Sequence, residues 1–234
     1  MPDPLAVTEL YDKKLDIDNL PDGVISGSTL IGFEAGLSRE LRASVALCLT
    51  AAQKVASADS VAISPDLWVE RHHMVLSGLN WVSTDGREVF TERTAKNVAV
   101  HKAIIPFLTA AFGPAVTATS LIVKAIEQIR KMQEDVPWIT LFERESRRYD
   151  VSEFRFATAA EQNGTVVLRF AAARFSARQE RLQILFFKKN DIDVSFRLAS
   201  RTMTANADLL ESMNSALAAK LQGHTDRYIA ALDF

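Results

Sequence analysis

Four histidines and one cysteine are the chain's whole supply of imidazole and thiol. His72 and His73 are adjacent, Glu70 lies just before them, and all three fall on a segment with helical periodicity. Two ligands on one helix share a face at i,i+4, whereas neighbouring side chains point about 100° apart. His72 and His73 therefore cannot chelate one ion together. Glu70 and His73, three apart, make at most half a metal site, and His101 on a later predicted helix is the remaining donor. The spacing predicts no metal centre and no cofactor, with one of the paired histidines packed and the other exposed. His224, beside Gly223, reads as a helix-end residue.

Nucleophilic chemistry finds less material. Cys48 sits within Val45-Ala46-Leu47-Cys48-Leu49, where it reads as a small buried apolar residue. The chain has no G-x-S-x-G elbow, no G-x-x-x-x-G-K-[ST] phosphate loop and no G-x-G-x-x-G fingerprint. An enzyme is unsupported; its remaining form is a site assembled from scattered residues such as Glu70, His73 and His101. Asp16, Asp18 and Asp22 lack the Gly and Glu of a calcium loop and read as a solvated acidic arm.

These residues sit in a chain of 234 with 48% hydrophobic and 24% charged composition, ordinary globular usage with enough length for a full core. A net charge of -2 argues against nucleic acid as a partner. One cysteine excludes an internal disulfide. The first residues, MPDPLAVTELYDKK, show no secretory signal, so the expected compartment at synthesis is the cytoplasm, with signal-independent release left open.

The organising stretch is Ala103 to Val123, twenty-one residues without a charge. It just reaches the roughly 20 residues of a membrane span. Gly113-Pro114 interrupts it, because proline lacks an N–H and biases the preceding residue away from the helix. Ala, Thr and Ser also dilute its hydropathy. Two buried helical arms meeting at a Gly-Pro corner are the expectation.

Around this stretch the predicted fold class is α+β. Residues 1–27 form an irregular arm, residues 28–137 a layer of about four helices, and residues 138–234 an antiparallel meander of four to five strands closed by a C-terminal helix. The whole is read as one integrated domain. The first helix is expected from Thr29 to about Ser57 with Ser28 as N-cap, and the second from Ser64-Pro65-Asp66 to near Trp81. A third begins near Arg87 and runs into the uncharged stretch; a fourth covers 115–134. Beyond Trp138 the period falls to two. Expected strands include 139–142, 152–158, 165–175, 181–188 and 192–202, with Asn163-Gly164 as the clearest hairpin turn. The terminal helix, from about Asn206 to Leu232 with a break at Gly223, is placed on the sheet.

The alternation puts Phe154, Phe156 and Phe170 inward. It puts Arg155, Arg169, Arg197 and Arg201 on a wet, cationic face, whose plainest role is cross-strand ion pairing. The inward phenylalanines argue against base stacking on that face.

Two functional expectations follow. The leading one is a non-enzymatic protein that binds a lipid membrane or self-assembles as a toxin-like, pore-forming effector. Ile104, Ile105, Phe107, Leu108, Phe112, Val116, Leu121 and Ile122 are its membrane-contact residues, organised like the apolar segments of helical pore-forming proteins. The alternative is a binding or structural module whose sheet face engages a protein partner or a second copy. For the stretch itself, the plainer reading favoured by composition is a core hairpin that never leaves the protein.

Overall fold

The computed structural model describes residues 23–26, 29–56, 65–84, 91–95, 108, 111–112, 122, 147–148, 151–176 and 194–230. In chain order these form β1 (Gly23–Ser26), β2 (Thr29–Phe33), α1 (Arg39–Ala56), α2 (Pro65–Gly78), β3 (Val82–Ser83) and β4 (Thr91–Ala95). They continue as β5 (Arg147–Arg148), β6 (Val151–Gln162), β7 (Thr165–Ser176), β8 (Val194–Asn206), α3 (Ala207–Ser212) and α4 (Asn214–Ala230). The class is α+β, as expected.

The sheet is mixed rather than a pure meander. Its order among the described strands is β1-β2-β6-β7-β8-β3, with β4 also on β8 and β5 also on β6. β6, β7 and β8 are antiparallel, but β2 joins β6 in parallel, Leu30 opposite Phe156. Residues 29–33 are thus a strand and not the start of the first helix. Thr-Leu-Ile-Gly-Phe satisfies a helical spacing at Leu30 and Phe33, yet both faces of this strand are covered, so every residue in it is buried and period carries no information. The helix instead starts after Ser38, whose hydroxyl accepts the Leu41 N–H at 3.1 Å. Thr91–Ala95, expected at the start of a third helix, is likewise a strand, paired with Val194–Leu198. The expected strands at 139–142 and 181–188 lie outside the described residues.

Two local signals do set the geometry. Asn163 and Gly164 both have positive φ, 51° and 75°, the backbone a two-residue type I′ turn demands. That turn places Gln162 opposite Thr165 and fixes the register of the long β6–β7 hairpin. α2 begins at Pro65, as predicted. It ends in a Schellman motif: Asn80 takes φ 64°, its N–H donates to Ser77 O, and Trp81 N–H donates to Leu76 O. This folds Trp81 back into the core at 1% exposure.

α1, α2 and α3 cover one face of the sheet. Three rows of register partners cross that face. Farthest from the β6–β7 turn, Thr29, Arg155, Ala172 and Ala199 are aligned; next come Ile31, Ala157, Phe170 and Arg201; then Phe33, Ala159, Leu168 and Met203. Leu41, Val45, Leu49 and Ala52 of α1, with Leu76, Trp81 and Leu210, complete this core. The opposite face is not wet where β2, β6 and β7 meet: Leu30, Phe156, Thr158 and Ala171 are all buried there.

The terminal helix differs from expectation in its seat. Asn206 caps α3 by accepting the Leu209 N–H at 3.0 Å. α4 then packs chiefly on α1 rather than on the sheet. Asn214 ties the two, donating to Glu40 O at 3.3 Å. Gly223 lies inside α4, and the break comes at Met213 instead.

Candidate functional site: a buried histidine pair under helix α2

α2 turns Trp68, Val69, His72, His73 and Leu76 inward, a run of i,i+4 steps that buries both histidines. His72 has no exposed surface. Its ring is stacked between Trp68, at 4.9 Å and 23°, and Phe170 of β7, at 5.0 Å and 29°. His73 meets the same Phe170 edge-on at 6.0 Å. The guanidinium carbon of Arg155, on β6, lies 3.4 Å from the centroid of Trp68, a close cation–π contact. Arg201, on β8, is the register partner of Phe170. A cation, an indole, an imidazole and a phenyl ring thus form one column between α2 and the sheet.

Both ring nitrogens of His72, Nε2 of His73 and Nε of Arg201 are buried without a partner among the described residues. Burial drives the His72 imidazole well below its ordinary range, reinforced by His73 and Arg155. Burial, then Arg201, pushes His73 down to about 4. Both rings are therefore neutral at neutral pH. Fully enclosed, His72 reaches no substrate in this conformation. Glu70 is exposed while His73 is buried, so they form no half-site, and no group of three metal-ligating side chains is found among the described residues. His101 lies outside them. Burial pushes the Cys48 thiol up to about 11, in keeping with a packed, unreactive residue.

The arginines depart from the expected wet face. Arg155 is 5% exposed, and both Arg155 and Arg201 stand on the side covered by α2. Arg169 is half-buried on the opposite face, alternating with Leu168 and Phe170. Arg197 occupies the register position between Arg174 and Glu92. A one-residue shift of phase moves every side chain to the other face, and with both faces buried here polarity alone could not set the phase. Trp68 and His72 at i,i+4 did carry a signal for the stack, but counting histidine as polar hid it.

Within the uncharged stretch, Leu108, Phe112 and Ile122 are helical and at most 2% exposed. Ile104, Ile105, Phe107, Val116, Leu121 and the Gly113-Pro114 corner lie outside the described residues. No described helix is long and apolar enough to cross a membrane.

No family model and no curated protein matches the chain. Solved structures do. One is a delta-endotoxin at 9% identity, covering 82% of this chain and 90% of that one with a TM-score of 0.48. Another is the activated Cyt2Ba monomer from Bacillus thuringiensis subsp. israelensis, at 10% identity, covering 78% and 98%, TM-score 0.47. The Evf virulence factor aligns at 16% identity over 94% of this chain and 89% of that one, TM-score 0.40.

Proposed function

We propose that this protein is a non-enzymatic, toxin-like effector that acts on lipid membranes through the apolar segment at 103–123. The observation that supports the reading is a twenty-one-residue run without charge, whose described members Leu108, Phe112 and Ile122 are helical and enclosed. Sheltered apolar helices of this kind favour a lipid interface once uncovered, at about 25 cal/mol per Å² of apolar surface removed from water. As helix, an arm of about 10 residues on either side of Gly113-Pro114 would reach about 15 Å, half the roughly 30 Å hydrocarbon thickness. The proposed mode is accordingly a wedge inserted into one leaflet.

The test places an environment-sensitive fluorophore at Ala111→Cys in a Cys48→Ala background, Ala111 being only half-buried in helix. With phosphatidylcholine–phosphatidylglycerol vesicles, emission should shift to the blue, be quenched by spin-labelled lipid, and accompany dye leakage. An unchanged spectrum with no flotation of the protein at neutral or acidic pH would remove the proposal.

A further inference from the structure

We infer that His72 and His73 form an acid-sensitive latch, which holds α2 on the sheet while both imidazoles are neutral and releases it when they take up protons. The inference concerns the fold in water and does not depend on the lipid reading.

Geometry carries it. His72 fills the space between Trp68 and Phe170, so the ring joining helix to sheet is itself titratable. A neutral imidazole in that slot leaves its nitrogens without partners. An imidazolium there would add a buried charge with two N–H donors and no acceptor for either among the described residues. Among the described residues no anion contributes to the shift of either imidazole. From β6 comes the cation Arg155, from β8 the cation Arg201, from β7 the uncharged Phe170, and from α1 the uncharged Ala56 beside Trp68. On α2 itself Glu70 is exposed and Arg71 half-buried. The titratable side chains of α1 are Arg39, Glu40, Arg42, Cys48 and Lys54, and none contributes to the shift of either imidazole. Each histidine also repels its neighbour once charged. Arg201 presses directly on His73, and His73 on His72.

The sign follows from linkage. In the released state each imidazole titrates near 6.5, and in the closed state His73 does so at about 4. The released state binds more protons throughout that interval, so acid favours release. Between pH 6.5 and 4.5 the ratio of released to closed forms should rise roughly 40-fold through His73 alone, and His72 acts in the same direction.

Hydrogen exchange of the whole chain, corrected for the intrinsic pH dependence of exchange, reads this without lipid. Amides of α2 should lose at least tenfold protection between pH 7 and 5, while the β6–β7 hairpin keeps its own. In His72→Phe/His73→Phe, which retains rings in both positions, α2 should stay protected over the same interval. Imidazole protonation followed by ¹³C-imidazole NMR of the unsubstituted protein gives a second readout that needs no variant. There His73 should titrate far below 6.5 until α2 opens. Equal loss of protection in α2 and the hairpin, unchanged by the double substitution, would overturn the latch. So would imidazoles that titrate near 6.5 with α2 still protected. Vesicle binding without an acid-dependent loss in α2 would reject the latch and leave the membrane proposal standing; the reverse result would do the opposite.

Discussion

Near the Asn163-Gly164 turn, the α1–α2 side of the sheet presents Phe33, Ala159, Leu168 and Met203 in one row, closed over by α1 and Leu210. A few residues further along the same strands, that side presents Arg155, Phe170 and Arg201 beneath Trp68, His72 and His73. Both regions are buried. In the first, the row is apolar and meets largely apolar side chains, with Trp81 Nε1 its one buried nitrogen without a partner among the described residues, and burying the apolar surface is favourable. In the second, close ring stacking and a cation–π contact are set against buried nitrogens with no hydrogen-bond partner, each costing about 1–3 kcal/mol. One sheet face thus has a part that acts as a permanent core and a part whose attachment depends on the protonation of two rings. Local opening starts where burial is least compensated.

Truncation separates the two regions most strongly. Leu168→Ala should cost roughly 2–5 kcal/mol in chemical denaturation, with little pH dependence in the loss, because it leaves a cavity in a fully apolar row. Acid comes next. With His73 held at about 4 when folded and near 6.5 when unfolded, stability is complete above 6.5 and falls as pH drops toward 4. The loss should reach about 3 kcal/mol from His73, read as a falling denaturation midpoint, with His72 adding in the same direction. A flat profile over that interval would erase the distinction between the regions. His72→Phe should be neutral or stabilising by about 1 kcal/mol at pH 7, since an apolar ring leaves no buried nitrogen unpaired. Smallest is Asn206→Ala, which removes the cap of α3 at the apolar end and should cost about 1 kcal/mol independently of the histidines.

Much of the helix and hairpin content was legible residue by residue. Ser64-Pro65 marked the start of α2, Asn163-Gly164 the turn, and the periodicity of Leu41, Val45 and Leu49 the inward face of α1. Those signals are local, since they depend on backbone conformations that only certain residues adopt. The strand at Thr29–Phe33 was not legible, because burial on both faces erases the alternation that distinguishes strand from helix. The histidine stack was half visible: the i,i+4 spacing of Trp68 and His72 is in the sequence, but nothing local says that Phe170 arrives from β7 to stack on the His72 ring.

The sequence by itself determined the α+β class, the turn chemistry, the single unreactive cysteine and a twenty-one-residue uncharged run broken by Gly113-Pro114. Tertiary structure alone decided that β2 runs parallel to β6, that Arg155 and Arg201 stand under a helix, and that both histidines lose their water. The reason is that local conformation follows from sterics within a few residues, whereas the faces of a strand, and the solvent a side chain keeps, are set by which distant segment comes to lie on it.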